Sequence, residues 1–517
     1  MVSTVSLVMA GLITLAMPGP GGRVPATGTL VLRIVEPREP GRAAPVPARV
    51  HLADTRGKPV LAPGLPSFRD HFNCDGSARL ELSPGDYTYT VERGPEYQHA
   101  SGTVTIDTGK VQERVVVLRR TIDLALLGWY SGETHVHRPP GDMPLLLRSE
   151  DLHVAPVITV WNRSDLWKNR PLPGQLQVEA EPTRVFHLLG CEDERRGGAL
   201  LYFNLRMPLN LAGDGPEAPS PIVHLREALA QEGAWVDVEK PFWWDMPTWV
   251  ATGRVRSIGL ANNHMCRRSM MDSEAWGRPR DTVLFPSPRG NGFYSQATYY
   301  RMLNCGLRIP PSAGSASGVL PNPVGYNRVY VHLAGAFSYD AWWRGLGEGR
   351  SFVTNGPLLL VEANGKRPGE VFRSAAGNLV EVALDVRVLG NDPLEAVEVI
   401  RDGVVVERLA GVKLDERMRP RHLTFERSGW FLVRAIAAVP ETFRFASTAP
   451  FYVEVGERHA TIHRGDIEFF LGWIDERIVT IEKDPQGHLP DAGRKEAVLR
   501  PHREARRFFE QRLRDAL

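Results

Sequence analysis

Cysteine is scarce in this chain and widely dispersed. Only four cysteines occur among 517 residues, and no two of them form a CxxC pair. A disulfide framework needs a dense set of cysteines, and a zinc knuckle needs closely spaced pairs. The sequence therefore indicates neither. The cysteines are Cys74, Cys191, Cys266 and Cys305.

An excess of one charge sign is also missing. Lysine and arginine total 62 against 60 for aspartate and glutamate, which gives a formal net charge of +2. Binding to nucleic acid or to an anionic membrane usually relies on a basic surplus, so we expect neither partner. The composition, 43% hydrophobic and 24% charged, is that of a globular protein long enough for several domains.

Long apolar runs are absent except near the N-terminus. Residues 5–17, VSLVMAGLITLAM, have the length of a signal-peptide hydrophobic segment and are too short to span a bilayer. Val24-Pro25-Ala26 offers small residues for cleavage, although no Lys or Arg precedes the run. The pattern predicts a signal peptide over residues 1–26 and a secreted or periplasmic protein without a transmembrane span. A frayed apolar terminus is the alternative.

Strand patterns follow this segment and return near the C-terminus. Short alternating runs separated by turn residues predict a β-sandwich over residues 27–121 and another over residues 356–455. One-sided apolar periodicity predicts a helical segment over residues 456–517. The stretch NCDGSARLELSPGDYTY resembles the repeat of carboxypeptidase-regulatory-like sandwiches, which implies a scaffolding role for the first of these domains.

Between residues 122 and 355, apolar strands alternate with helical segments. This alternation predicts a mostly parallel sheet or an α/β barrel, in which functional side chains cluster at strand ends. Two histidines, His135 and His137, stand near the start of this region in GWYSGETHVHRPPGDM. Because residues i and i+2 of a strand point the same way, their imidazoles can converge on one ion. The pair alone is weak support, since catalytic zinc typically has three protein ligands.

Two further candidate ligands follow apolar strands in the same region. Glu192 comes directly after RVFHLLGC, and His264 comes directly after IGLANN. With the histidine pair they would complete a mononuclear metal site built from strand ends. Each has an ordinary alternative: Glu192 could pair with a neighbouring arginine, and His264 could be a hydrogen-bonded loop histidine.

The segment GETHVHRP resembles the GDLHVHT opening of the polymerase and histidinol phosphatase (PHP) superfamily. From residue 122 onward the chain is most similar to the CehA/McbA family of metallohydrolases, with agreement at Gly190-Cys191-Glu192, in GRSFVTNGPLL and in HRGDIEFFLGWIDERI. The resemblance implies a central α/β PHP-like distorted (β/α)7 barrel, here flanked by the two β-sandwich domains and followed by the helical segment. It also implies a divalent metal, hydrolysis of an ester-like bond, and metal-ligand positions at His135, His137 and Glu192.

The chain departs from this family at three metal-binding positions. Thr159-Val160-Trp161 replaces a Thr-Asp-His triplet, Lys240-Pro241 replaces a His-Pro pair, and residues 315–318 replace a Ser-Asp-x-His motif. These replacements favour a single remaining ion, with zinc preferred and manganese or iron as alternatives. The other interpretation is a barrel that has lost catalysis.

Two residues are predicted to act catalytically beside the metal. Lys240 would place a positive charge where negative charge develops on the substrate. It could instead be carboxylated and serve as an oxygen ligand, or form an ion pair with one of the neighbouring carboxylates Glu239, Asp237 and Asp245. Asp245 is the predicted base for activating water, on position alone.

Tryptophan is concentrated in two short stretches, PFWWDMPTW and YDAWWRG. Exposed indoles bind sugar rings and other flat ligands, whereas buried indoles pack a core. The first functional hypothesis is therefore a metal-dependent hydrolase of a phosphoester, carboxylic ester or carbamate in a small-molecule or carbohydrate-linked substrate. The alternative is a non-catalytic secreted binding or scaffold protein that holds carbohydrate or glycoprotein in an aromatic groove.

Overall fold

The computed structural model describes residues 27–39, 41–213, 215–457, 459–460, 462–489 and 491–516. The predicted signal peptide, residues 1–26, lies outside the described residues. None of the helices in those ranges combines the length and the apolar character that a membrane crossing requires.

Two packed β-sheets form the N-terminal part of the described chain. Their strands are β1 (Gly28–Glu39), β2 (Arg42–Pro45), β3 (Ala48–Asp54), β4 (Ser67–Phe68), β5 (His71–Cys74), β6 (Ser77–Leu82), β7 (Gly85–Glu92), β8 (Ala100–Ile106) and β9 (Val111–Val117). One sheet joins β1 to β2, β6 and β9, and the other has the order β4-β5-β3-β7-β8. Strict alternation in β6 turns Leu80 and Leu82 into the core between them.

The central region contributes eleven strands and five short helices. The strands are β10 (Trp129–Gly132), β11 (Val154–Trp161), β12 (Ser164–Asp165), β13 (Gln177–Glu181), β14 (Arg184–Arg195), β15 (Gly198–Phe203), β16 (Trp235–Val238), β17 (Ser257–Ala261), β18 (Pro311–Ala313), β19 (Arg328–His332) and β20 (Ser351–Thr354). The helices are α1 (Met143–Ser149), α2 (Pro221–Leu229), α3 (Met246–Val250), α4 (Gly290–Asn304) and α5 (Tyr339–Gly347). Two 3₁₀ turns, Ala125–Leu127 and Pro140–Asp142, flank β10.

The C-terminal region contributes eleven more strands and two long helices. The strands are β21 (Leu358–Ala363), β22 (Val371–Ser374), β23 (Val380–Val382), β24 (Leu384–Leu389), β25 (Leu394–Arg401), β26 (Val404–Ala410), β27 (Arg417–Met418), β28 (Leu423–Phe425), β29 (Gly429–Ala437), β30 (Phe445–Thr448) and β31 (Phe451–Val455). The helices are α6 (Arg464–Lys483) and α7 (Ala492–Asp515), which pack on each other and on α3.

The predicted fold class, a central α/β barrel set between separate sandwiches, is wrong. β20 pairs antiparallel with β30, so the central strands and six of the C-terminal strands (β22, β25, β26, β29, β30 and β31) belong to one 17-stranded sheet. This sheet is mixed: β11 runs parallel to β14, whereas β15 runs antiparallel to both β14 and β16. Local sequence patterns indicated where strands lie. They do not indicate which strand pairs with which, because the partner can lie far away in sequence.

Most of the conspicuous tryptophans and all four cysteines belong to the interior. Trp243, Trp249, Trp342 and Trp343 are buried in the largest hydrophobic cluster. The cysteines are buried and unpaired. Most indoles of the two tryptophan-rich stretches therefore pack the core. Among them only Trp244 is half-buried.

Candidate metal centre

The histidine pair lies in the segment after β10. This segment runs between two neighbouring parts of the sheet. The Ile158 amide donates to the Val136 carbonyl at 2.8 Å, and the His137 amide donates to the Ser317 carbonyl at 2.8 Å. These bonds keep the segment extended, so His135 and His137 project to the same side. Glu192, in β14, is aligned with Trp161 of β11 and reaches the same place.

Three ligand atoms converge there. His135 Nε2 lies 3.1 Å from His137 Nε2. Glu192 Oε2 lies 3.0 Å from His137 Nε2 and 3.5 Å from His135 Nε2. His135 and Glu192 are buried, and the His137 side chain is 9% exposed. The structure therefore brings together three of the four predicted metal ligands.

The spacing of these atoms fits a single ion. Zinc binds its donors at about 2.0–2.1 Å, and tetrahedral angles then set neighbouring donors about 3.3 Å apart. The observed separations of 3.0, 3.1 and 3.5 Å lie on both sides of that value. Apart from these ion-pair contacts, Glu192 Oε2 is buried without a hydrogen-bond partner among the described residues, which is unusual because buried polar atoms are nearly always paired. These groups could hold a metal.

The electrostatics of the cluster keep the carboxyl group ionised. Burial raises the pKa of Glu192, but the neighbouring His135 and His137 outweigh it and hold this pKa well below its usual range. A carboxylate and two imidazoles are the donor chemistry that zinc prefers.

A second trio of ligand-type side chains lies in the N-terminal sheets. Asp70 places one oxygen 3.3 Å from His51 Nδ1 and the other 3.0 Å from His71 Nδ1. Arg49 Nε donates to His51 Nε2 at 3.1 Å, so the proton of the neutral His51 ring must lie on Nδ1, facing Asp70. A protonated nitrogen cannot bind a metal. This trio therefore fits an ion-paired cluster better than a metal site.

His264, the predicted fourth ligand, is not part of the cluster. Its Nδ1 lies 2.8 Å from the Ser273 carbonyl oxygen, and its own carbonyl accepts from the Met271 amide at 2.8 Å. Burial and the nearby charge of Lys240 lower the pKa of His264 to about 3, so the ring is neutral. These contacts are those of a histidine that anchors a loop, the alternative left open by the sequence.

Lys240 forms an ion pair with Glu239, one of the alternatives that the sequence left open for this residue. Its Nζ donates to Glu239 Oε1 at 2.5 Å and lies 4.4 Å from the centroid of the Trp243 ring. The side chain is buried. Its ammonium is thus partly neutralised by Glu239 and shielded from water by an indole face.

Asp245, the predicted base, is engaged by the C-terminal helices. Its Oδ1 accepts from Arg477 Nε at 2.7 Å and lies 3.0 Å from His502 Nε2. Burial raises the pKa of Asp245, but Arg477 and His502 outweigh it and hold this pKa well below its usual range. Such a carboxylate is a poor proton acceptor. The role of water-activating base stays a prediction that these contacts do not support.

The sequence did not point to Trp276, which stands alone in a loop. Its side chain is 48% exposed and stacks on Trp243 with ring centroids 5.8 Å apart. The half-buried Trp161 lies 5.1 Å from the His137 ring and donates from Nε1 to Glu194 at 3.1 Å. Neither of these two partly exposed indoles, Trp161 and Trp276, belongs to the tryptophan-rich stretches of the sequence.

Gly314 gives a test of how closely the ligand positions are packed. A Cβ at this position would lie 2.4 Å from His135 Cβ, so Gly314→Ala must push His135 aside. We expect about a 10-fold weaker zinc affinity, measured by competition with a chromogenic chelator, as for other changes that act through a ligand's surroundings. Gly141→Ala, where a Cβ meets nothing within 4 Å, is the matched control. Equal affinities of the two variants would contradict the expected displacement.

No family model and no curated protein matches this chain. Among solved structures, the minor pilin GBS52 of Streptococcus agalactiae is 20% identical over 19% of this chain and 46% of its own, with a TM-score of 0.16. The pilus-presented adhesin Spy0125 (Cpa) is 15% identical over 19% of this chain and 28% of its own, with a TM-score of 0.14. The Bacillus anthracis TIE protein is 9% identical over 84% of this chain and 51% of its own, also with a TM-score of 0.14. This chain thus spans about half the length of these proteins or less, and similarities this low assign neither fold nor function.

Proposed function

We propose that this chain is a metal-dependent hydrolase of an ester-like bond, with one divalent ion held by His135, His137 and Glu192. The observation that carries the proposal is the convergence of three ligand atoms from two buried side chains and one nearly buried one, with Glu192 Oε2 lacking any hydrogen-bond partner among the described residues. Zinc is the preferred ion because two imidazoles and one carboxylate form a common catalytic zinc set. Manganese and iron are the alternatives, since they accept the same donors.

The number of protein ligands favours catalysis over a purely structural metal. Structural zinc sites are usually closed by four protein ligands, whereas catalytic sites use three and keep one position for water or substrate. When bound, the ion would supply Lewis acidity toward water and toward an ester-like oxygen. Phosphoesters, carboxylic esters and carbamates all present such an oxygen.

The chain's own residues would hold the ion and contact the substrate. His135 and His137 present imidazole nitrogens, and Glu192 supplies a buried negative charge that balances a cation. Lys240 is proposed to contribute positive charge as negative charge develops on the substrate, although Glu239 compensates part of it. The half-buried Trp161 beside His137 would contact the apolar part of the substrate.

A second candidate function is carbohydrate or glycoprotein binding without turnover. The observation in its favour is Trp276, a partly exposed indole stacked on Trp243 and so fixed before any ligand binds. A rigid aromatic face binds a sugar ring at low entropic cost. Export to the periplasm or the cell exterior, proposed from residues 5–17, is compatible with both functions.

Elemental analysis of the purified, unchelated full chain by plasma mass spectrometry tests the proposal. We expect about one zinc, manganese or iron per chain, and hydrolysis of at least one nitrophenyl ester or phosphoester that is lost on chelation and restored by adding the ion back. A metal that binds without any hydrolysis would favour the binding function. Absence of metal, even after incubation with each ion, would contradict the proposal and move the search to glycan arrays.

A further inference from the structure

We infer that Glu239 is a positioning residue of the metal centre, which holds His135 with its Nε2 lone pair facing Glu192 and His137. The inference rests on the proposed function, because it assigns a role toward the same ion. No feature of the sequence indicated it: Glu239 stood out there only as a partner for Lys240.

The contact that carries the inference joins the far side of the His135 ring to Glu239. His135 Nδ1 lies 3.3 Å from Glu239 Oε1, while Nε2 of the same ring faces His137 Nε2 at 3.1 Å. The negative charge of an ionised Glu239 at this ion-pair distance favours the tautomer of His135 that carries its proton on Nδ1. The other nitrogen is then left with the lone pair that a metal requires.

Glu239 is itself held in a fixed orientation. Its Oε1 accepts from Lys240 Nζ at 2.5 Å and from Asn263 Nδ2 at 2.7 Å, and its Oε2 accepts from Trp243 Nε1 at 3.0 Å. The residue is 4% exposed. Three donors from three side chains fix the plane of the carboxylate, and Lys240 offsets the cost of burying its charge.

This arrangement gives Lys240 a second role, in addition to the one proposed toward the substrate. A carboxylate that faces a metal-binding imidazole orients the ring and raises its basicity as a ligand. Without a neighbouring cation, an ionised carboxylate at this depth would be costly. Lys240, Asn263 and Trp243 therefore act on the metal through Glu239, and Glu239 acts through His135.

The test compares the zinc affinity of the full chain and its Glu239→Gln variant by chelator competition. We expect 10- to 100-fold weaker binding in the variant, the range typical of a lost outer partner of a ligand. Glu398→Gln is the matched control, because Glu398 is also buried and ion-paired, to Arg434, but does not belong to the cluster. It should bind zinc as the parent chain does.

A second variant separates positioning from folding. Glu239→Gln leaves the ammonium of Lys240 without a carboxylate, so the double variant Glu239→Gln with Lys240→Met removes both charges together. Weakened zinc binding in this folded double variant supports the inference. The absorption bands of bound cobalt should also shift in both variants and not in Glu398→Gln, because the basicity of the His135 ligand changes.

The outcomes distinguish the inference from the proposed function. If the parent chain binds zinc and both Glu239 variants match it, the inference is wrong and the proposed metal centre stands. If the parent chain binds no ion, the proposed function and the inference fail together. If Glu398→Gln loses affinity as much as Glu239→Gln, the effect comes from general destabilisation and the positioning role is overturned.

Discussion

Replacement of both His135 and His137 by alanine is expected to reduce the bound metal from about one ion per chain to none. The reason is geometric, since two of the three converging ligand atoms disappear and Glu192 alone remains. Hydrolysis should fall by several orders of magnitude, because Lewis acidity toward water and substrate is lost with the ion. Plasma mass spectrometry and a nitrophenyl ester assay on the same preparation measure both effects.

The second histidine trio provides the matched control for this experiment. His51→Ala with His71→Ala removes two buried histidines that also flank a carboxylate, but there Arg49 already uses the free lone pair of His51. We expect the metal content and the hydrolysis rate of this control to equal those of the parent chain. A metal retained by the His135 and His137 variant but lost by the control would place the ion in the N-terminal sheets and contradict the assignment.

Arg477→Met is expected to cost about 3–5 kcal/mol of unfolding free energy, the usual result of removing one partner from a buried ion pair. Arg477 Nε contacts Asp245 Oδ1 at 2.7 Å, and Nη2 contacts Glu217 Oε2 at 2.6 Å. All three side chains are buried. The variant would leave two carboxylates in the interior with too little positive charge nearby. Denaturant unfolding followed by circular dichroism measures the loss.

Arg503→Ala is the matched control for that prediction. Arg503 lies on α7 and pairs with Glu496 at 2.8 Å, but its side chain is 40% exposed. Exposed ion pairs contribute little to stability, so we expect little change. If Arg477→Met loses no more unfolding free energy than Arg503→Ala, the ion pair between Arg477 and Asp245 does not stabilise the fold. The predicted role of Asp245 as a base would then gain weight.

Local sequence patterns were sufficient for the core of the site and insufficient for its surroundings. His135 and His137 could be predicted to converge because the strand period fixes their relative direction over two residues. Glu192 followed from its place in a strand and from the family resemblance. The contacts of Asp245 could not be predicted, because Arg477 lies 232 residues away and nothing local relates the two.

The same limit applies to the fold. Continuous apolar runs identified β11, β14 and other strands, but the barrel expectation assumed that neighbours in sequence are neighbours in space. The pairing of β20 with β30 depends on register over about a hundred residues of intervening chain, which no local period encodes. Tryptophan burial is a related case, because composition alone does not tell a packed indole such as Trp249 from an accessible one such as Trp276.

The shared sheet has a consequence for any attempt to isolate the metal centre. Phe352, Val353 and Thr354 of β20 are aligned with Thr448, Ser447 and Ala446 in the antiparallel ladder with β30. A fragment ending near residue 355 would keep every ligand of the cluster and still present a row of unpaired amides and carbonyls along β20. Such an open edge recruits other chains, so the shortened protein would be lost to aggregation before its chemistry could be measured.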